Sequence, residues 1–287
     1  MAKEMKSPSR KTQGILSFRQ NIVHLQKHSL MSIIAFDLDD TLYKEIDYLK
    51  SAYTEIAQLA ASQTLSKEEY SAICQEAYNA MMEAYLGGGN AFEALNELLN
   101  LSTPIKKYLE TYRTHRPNIR LNDETVATLN ALKAEGHVIG IITDGRSIQQ
   151  RNKIEALQLR RWVSPEDIVI SEEFGSEKPA EANYRHFMLR YPECHKFVYV
   201  GDNPKKDFIA PNRLGWKTIC LLDNGQNIHK QQLQQSSEED KSKNNIVNYS
   251  LNFTGQQKEQ EECSASAPDF QPQLMAATFK QIQALIQ

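Results

Sequence analysis

Acidic and hydroxyl side chains directly follow three apolar stretches of this chain, and they indicate which chemistry to look for. The segments are 37–41 (Asp-Leu-Asp-Asp-Thr), 143–145 (Thr-Asp-Gly) and 201–207 (Gly-Asp-Asn-Pro-Lys-Lys-Asp). Acids at the end of a buried strand are costly unless a cation or a proton neutralises them. Two such acidic clusters, with a hydroxyl between them and Lys178 ahead of the second, indicate a divalent metal and a phosphate.

The spacing of the acids predicts a metal site at one edge of a sheet. In an extended segment residues two apart point the same way, so Asp37 and Asp39 aim at a common point beyond their strand. Asp202 follows a later strand and should reach the same edge, where ligands bind in open α/β sheets. Crowded carboxylates repel each other without a cation, and Mg²⁺ prefers oxygen ligands. We therefore predict that Mg²⁺ binds here.

A cation at this edge would let an anionic nucleophile approach a phosphoryl group. Asp37 is placed to attack phosphorus and form an aspartyl phosphate. Asp39 could protonate the leaving oxygen and later take a proton from water. The residues that would offer hydrogen bonds or positive charge to the phosphate are Thr143, Asp144, Gly145 and Lys178.

Five apolar runs that alternate with helical patterns predict the sheet that carries these residues. A continuous apolar run is typical of a strand buried on both faces. The predicted strands are residues 32–36, 138–142, 167–170, 197–200 and 218–222. The predicted helices between them are residues 121–134, 147–157, 180–191 and 205–214. Such alternation predicts an α/β fold with a doubly wound parallel sheet, Rossmann-like, with helices on both faces.

The long interval after the first strand predicts a separate helical unit. It holds about four amphipathic helical patterns and no strand pattern, enough for a small bundle. The polar composition near the C-terminus predicts disorder instead. The predicted division is a poorly ordered extension (1–30), an α/β core (31–43 and 116–223), an inserted all-helical unit (44–115), a disordered polar excursion (224–268) and a C-terminal helix returning to the core (269–287).

Composition excludes several classes of partner. The formal net charge of -3 over 287 residues gives no electrostatic case for nucleic acid or for anionic membranes. No apolar run approaches the roughly 18 residues that span a bilayer. The 4 cysteines lack metal or redox spacing, and the basic N-terminus lacks the apolar region of a secretory signal. We expect a cytoplasmic protein with reduced thiols. The sequence predicts no oligomeric state.

Four motifs in this order resemble the haloacid dehalogenase-like (HAD) superfamily, specifically its phosphatases with a helical cap inserted after the first strand. The motifs are Asp37-x-Asp39-x-Thr41, Thr143 after an apolar strand, Lys178, and Gly201-Asp202-x4-Asp207. The resemblance covers roughly residues 32–223. It implies that Asp37 is the nucleophile and Asp39 the general acid and base. It also implies that Mg²⁺ is held by the Asp37 carboxylate, the Asp39 backbone carbonyl and Asp202, with Asp207 supporting the site directly or through a water.

Three acids have alternative interpretations. Asp207 either supports the metal or favours the positive end of the following helix. Asp144 either caps the helix that begins near Ser147 or reaches toward substrate. For Asp40 we prefer a turn or capping role over a chemical one.

The sequence supports more than one function. The leading hypothesis is a phosphatase that hydrolyses a small phosphate monoester, such as a sugar phosphate or a nucleoside monophosphate, under a cap that excludes bulk water. A phosphomutase on the same scaffold is the alternative. A dehalogenase is less well supported, because Asp39 is unnecessary for displacing halide. A non-catalytic module that binds a metabolite or a partner through 224–268 is a further hypothesis.

Overall fold

The computed structural model describes residues 31–63, 70–229, 231 and 271–286, together with the backbone of two short strands at 234–235 and 249–250. The predictions for residues 1–30 and for most of 224–268 lie outside the described residues. In the part of the chain that is described, no helix is long and apolar enough to cross a bilayer.

Six parallel strands form the central sheet. The described residues contain eight strands, of which two lie outside this sheet. In chain order they are β1 (Ile33–Phe36), β2 (Val138–Thr143), β3 (Val163–Ile170), β4 (Phe197–Gly201), β5 (Lys217–Leu221), β6 (Gln234–Gln235), β7 (Tyr249–Ser250) and β8 (Leu274–Ala276). The sheet order is β3-β2-β1-β4-β5-β8, and β6 pairs with β7 in a separate antiparallel ladder. Because β1 pairs with β2 on one side and β4 on the other, the carboxyl ends of these three strands lie side by side.

Helices cover both faces of the sheet. They are α5 (Asp123–Ala134), α6 (Ser147–Ala156), α7 (Ser171–Phe174), α8 (Ala182–Arg190), α9 (Ile209–Arg213) and α10 (Phe279–Ile286), with a 3₁₀ turn at Leu159–Arg161. Successive strand residues point to opposite faces. Ile34 and Phe36 therefore pack with α5, α6 and α10, whereas Ile33 and Ala35 pack with α8 and α9. The predicted doubly wound parallel α/β core is confirmed.

The described residues between β1 and β2 form further helices. These are α1 (Glu45–Ala61), α2 (Tyr70–Leu86), α3 (Ala91–Leu99) and α4 (Ile105–Thr114). Their apolar side chains make a core of their own, which includes Ile56, Met81, Leu95 and Tyr108. An independent core is what a separate unit requires. That residues 44–115 act as a cap over a site stays a prediction.

One predicted helix is shorter than expected. The pattern predicted a helix over residues 205–214, but α9 begins only at Ile209. The reason is Pro211, which has no N–H to donate and is tolerated only in the first turn of a helix. Residues 203–208 instead form turns, in which the Asp207 backbone N–H donates to the Asn203 carbonyl at 2.9 Å.

The C-terminal segment also differs from a single helix. Within 269–287, residues 274–276 form β8 at the edge of the sheet, in parallel register with β5, before α10 begins at Phe279. Three residues are too few to reveal a strand by their alternation. α10 buries Phe279 and Ile282 against the core, so this segment does return to it.

Candidate active site

The ends of adjacent strands bring the predicted site residues together. Asp37 follows β1, Thr143 ends β2 and Asp202 follows β4. The backbone N–H of Asp37 still donates to the Val200 carbonyl at 2.8 Å, so this segment continues the pairing of β1 with β4. Strand order therefore places the acids of the first and fourth strands next to each other, at the carboxyl edge of the sheet.

Three buried carboxylates form a compact cluster at this edge. One oxygen each from Asp37, Asp202 and Asp207 lies within 4.8 Å of the other two. The Lys178 ammonium group donates to Asp37 Oδ1 at 2.5 Å and to Asp207 Oδ1 at 2.8 Å. One lysine for three acids leaves an excess of negative charge away from water.

Burial and the excess negative charge raise the pKa values of two of these acids. Burial raises the pKa of Asp37 to about 7, against the opposing effect of Lys178. Burial raises the pKa of Asp202 to about 9, with further increases from Asp37 and Asp207. Protons or a cation must therefore supply the missing positive charge. The donors are all oxygens, which is the ligand chemistry that Mg²⁺ prefers, so the cluster fits such an ion.

Asp207 lies inside the cluster and not at the start of a helix. Its Oδ2 accepts from the Asn203 N–H at 2.8 Å, and its Oδ1 accepts from the Tyr199 hydroxyl at 3.2 Å. α9 begins two residues later. A Cβ atom at Gly201 would lie 2.4 Å from Asp207 Oδ2, so only glycine leaves room for this carboxylate. Of the two interpretations of Asp207, the geometry favours support of the acidic cluster.

The Asp39 carboxylate has different partners. Its Oδ1 accepts from Lys153 at 2.7 Å and from the Tyr43 hydroxyl at 2.5 Å, and its Oδ2 accepts from Gln150 at 2.8 Å. Burial alone would raise the pKa of Asp39, but Lys153 and these hydrogen bonds lower it. Asp39 is therefore held as a carboxylate beside the acidic cluster, and its side chain is not one of the three that converge.

Thr143 and Asp144 line the same site from the end of β2. The Thr143 hydroxyl is buried and accepts from Gln150 Nε2 at 2.6 Å. The Gly145 N–H, which we expected to face a phosphate, donates to Ser171 Oγ at 2.9 Å.

Asp144 does not cap α6, which was one of the two roles predicted for it; its reach toward substrate stays a prediction. Its Oδ1 accepts from the Lys178 backbone N–H at 3.0 Å, and its Oδ2 accepts from Lys206 Nζ at 3.2 Å. The Ser147 N–H at the start of α6 is capped by Glu172 instead. Asp144 therefore anchors the loop that presents Lys178.

Asp40 has the structural role that we preferred. Its backbone lies in the left-handed region, with φ of 57°, and its Oδ1 accepts from the Glu45 N–H at 2.9 Å, at the start of α1. Its Oδ2 accepts from the Ile228 N–H at 2.9 Å, which ties this turn to the segment after β5.

The segment after β5 differs from its prediction. The polar excursion was predicted to begin at residue 224, but Asn227, Ile228, His229 and Gln231 contact the site or the turn beside it. Asn227 is buried, donates to Asp202 Oδ2 at 2.9 Å and accepts from Lys44 at 2.5 Å. Sequence reasoning missed Asn227, Gln150 and Lys153, because polar residues in a polar segment or helix give no signal of burial.

A cavity of about 210 Å³ opens between these groups. It is lined by Asp37, Asp39, Asp40, Glu45, Thr143, Asp144, Asp202, Asn203, Lys206 and His229. A larger groove of about 660 Å³ runs along α1 and residues 116–120, but its walls hold none of the clustered acids. The chemistry of the donors, and not the volume, places the site in the smaller cavity.

Comparison with known proteins identifies the family. Residues 34–221 match the family model of the haloacid dehalogenase-like hydrolases. A glyceraldehyde 3-phosphate phosphatase of Methanocaldococcus jannaschii is 30% identical over 198 residues, which cover 66% of this chain and 84% of that protein. A protein of the same name from Pyrococcus furiosus is 30% identical over 200 residues, which cover 66% of this chain and 80% of the relative.

A solved structure has the same fold. The HAD-hydrolase YfnB of Bacillus subtilis, a structure bound to magnesium, aligns with a TM-score of 0.50 and 15% identity, covering 89% of this chain and 98% of that one. A parallel α/β fold with acids at the ends of adjacent strands is the architecture of a hydrolase of this class. The matched residues contain all four motifs, and the chain belongs to the haloacid dehalogenase-like hydrolases.

Proposed function

We propose that the protein is a Mg²⁺-dependent phosphatase that hydrolyses a small phosphate monoester through an aspartyl phosphate on Asp37. The observation that carries this proposal is the cluster of Asp37, Asp202 and Asp207 at the ends of adjacent strands, with Lys178 bonded to Asp37 and Asp207. Asp37 lies next to Lys178 and to two further carboxylates. This arrangement of charges suits a site that binds a cation together with an anionic substrate.

The proposed reaction has two steps, formation of the aspartyl phosphate and its hydrolysis. In the first step, a carboxylate oxygen of Asp37 forms a bond to phosphorus as the bond between phosphorus and the ester oxygen breaks. Asp39 rests as a carboxylate, so it first binds a proton from water and then gives that proton to the ester oxygen, and the alcohol leaves neutral. In the second step, water attacks phosphorus, Asp39 takes the water proton and the bond to Asp37 breaks, which releases inorganic phosphate.

Other residues hold the reacting groups. Lys178 stays in contact with Asp37 and keeps that carboxylate in place. Asp37, Asp202 and the Asp39 carbonyl would hold Mg²⁺, with Asp207 in support. When bound, the ion neutralises charge so that the nucleophile and the phosphoryl group can approach each other.

A sugar phosphate is the substrate class that we propose. The cavity of about 210 Å³ is smaller than the roughly 300–1,000 Å³ of typical ligand pockets, which favours a small phosphate ester over a nucleotide. The relatives named glyceraldehyde 3-phosphate phosphatase make that triose phosphate the first compound to test.

The test is release of inorganic phosphate from a panel of sugar phosphates and nucleoside monophosphates, with Mg²⁺ and with EDTA. We expect turnover only with Mg²⁺, and a loss of about a thousand-fold or more in Asp37→Asn, as when a nucleophile is removed from other hydrolases. The wild-type peptide that contains Asp37 should gain one phosphoryl group after rapid quenching. Turnover that persists undiminished in Asp37→Asn, or no turnover on any compound, would refute the proposal.

A further inference from the structure

α6 carries two buried polar side chains that the reaction scheme above does not use. Gln150 and Lys153 are both 1% exposed. Residues three apart on a helix lie on the same side, so both side chains reach the same region. Both side chains contact Asp39, the general acid of the proposal, and Gln150 also contacts Thr143.

The Gln150 amide nitrogen joins three acceptors. Nε2 lies 2.8 Å from Asp39 Oδ2, 2.6 Å from Thr143 Oγ1 and 3.2 Å from the Asp144 carbonyl. The amide oxygen of Gln150 can only accept, and so can the Asp144 backbone carbonyl that faces it. The amide therefore has its nitrogen on this side, and its two N–H hydrogens are shared among the three acceptors.

This direction of donation decides where the Thr143 hydrogen points. A hydroxyl has one hydrogen to donate, and an amide N–H cannot accept it. Thr143 Oγ1 thus accepts from Gln150 and keeps its own hydrogen for another group. Within the described residues Thr143 Oγ1 has no acceptor for that hydrogen, and it lines the cavity with Asp37. A phosphoryl oxygen in the cavity is the acceptor that the geometry offers.

Lys153 fixes the other oxygen of Asp39. Its ammonium group lies 2.7 Å from Asp39 Oδ1, 3.6 Å from Glu45 Oε1 and 4.4 Å from the centre of the Tyr48 ring. With Gln150 on Oδ2, both Asp39 oxygens are held from the same helix. A carboxylate held at both oxygens has a single orientation relative to Thr143.

Resting on the function proposed above, we propose that Gln150 and Lys153 are positioning residues that fix Asp39 beside the Thr143 hydroxyl and leave the hydrogen of that hydroxyl free for a phosphoryl oxygen. One amide group then sets the separation between the group that protonates the leaving oxygen and the group that binds the phosphoryl oxygens. Such pre-positioning lowers the cost of reaching the reacting geometry.

A double-mutant cycle on phosphate binding tests the Thr143 part. Met is close to Gln in length and has no N–H, so Gln150→Met should weaken binding of inorganic phosphate, measured by calorimetry with Mg²⁺, by about tenfold, the loss typical of one hydrogen bond. In a Thr143→Val background the same change should matter less than about twofold, because the hydroxyl is already gone. Gln149→Met is the matched control, since Gln149 hydrogen-bonds Tyr48 instead.

The leaving-group dependence of kcat tests the Asp39 part. p-Nitrophenolate leaves without a proton, whereas an alkoxide needs one. Lys153→Met should therefore lower kcat about tenfold or more on an alkyl phosphate and less than about threefold on p-nitrophenyl phosphate. Lys133→Met, at an exposed position of α5, should change neither value.

The outcomes separate this inference from the proposed function. If the wild-type protein binds phosphate and hydrolyses esters, but Gln150→Met binds phosphate as wild type does or Lys153→Met slows both esters equally, only this inference fails. If the wild-type protein neither binds nor hydrolyses, both fail. Should Gln150→Met not fold, Gln150→Glu has the same shape and cannot donate, and unchanged phosphate binding in that variant would overturn the inference.

Discussion

Replacing Asp202 with asparagine should make the metal-free protein more stable while it removes the response to Mg²⁺. Asp202 is 4% exposed, and its pKa is raised to about 9 by burial and by the neighbouring acids. A carboxyl group that ordinarily titrates near 3.8 but stays protonated at pH 7 in the folded protein costs about 4 kcal/mol of folding free energy. Asparagine has a similar shape and can still accept from Asn227.

The expected gain is smaller than that cost, because a buried amide is itself desolvated. We expect about 2 kcal/mol at pH 7, or roughly 5 °C in Tm for a protein of this size. The assay is thermal unfolding after EDTA treatment, repeated with excess Mg²⁺. Wild type should gain Tm with Mg²⁺. The variant should gain little. Asp47→Asn removes an exposed acid and should stay within about 0.5 kcal/mol of wild type.

The pH dependence follows from the direction of the shifts. Asp37 and Asp202 have raised pKa values in the folded protein, so in metal-free protein above pH 4 the folded state binds more protons than the unfolded state. Stability therefore falls as pH rises, through about 7 and then about 9, as these protons are lost. Wild-type Tm in EDTA should drop between pH 6 and pH 9, and less in Asp202→Asn. A flat wild-type profile, with the variant melting below wild type in EDTA, would refute the electrostatic account of the cluster.

Two further predictions follow from close contacts in the site. Gly201→Ala would place a methyl group 2.4 Å from Asp207 Oδ2, so it should lower stability by about 2 kcal/mol and reduce turnover. Thermal unfolding and phosphate release measure the two effects, and a fully active variant would contradict the contact. Asn227→Ala removes the hydrogen bond to Asp202 Oδ2, so it should raise the Mg²⁺ concentration for half-maximal activity about tenfold. The control Gln226→Ala, at an exposed position, should leave that concentration unchanged. Equal Mg²⁺ requirements in both variants would count against a role for Asn227.

The sequence predicted the strands and the acids at their ends for one physical reason. A strand buried on both faces needs a continuous apolar run, and the first acid after such a run, as at Asp37 and Asp202, must lie at the sheet edge. Because the strands are parallel, their carboxyl ends all lie along one edge of the sheet, and this much follows from the sequence alone. The order of the strands, which makes β1 and β4 neighbours, was supplied only by the structure.

The residues that the sequence did not reveal are buried by contacts distant in the chain. Lys153 lies in a helix whose other residues are mostly polar, and its partner Asp39 is 114 residues away. Asn227 follows the last predicted strand in a segment with no periodicity. Nothing local marks either residue as buried. Pro211 is different, because its missing N–H is a local signal of a late helix start, but the predicted helix over 205–214 did not take it into account.

The edge strand β8 has a consequence for how the protein is made. β5 receives its outer neighbour from residues 274–276, and α10 supplies Phe279 and Ile282 to the adjoining core. On the ribosome, the open side of β5 must wait until residues 274–276 have emerged. A nascent chain that stalls after Leu221 would present an unpaired, apolar edge, and it would depend on chaperones until translation resumed.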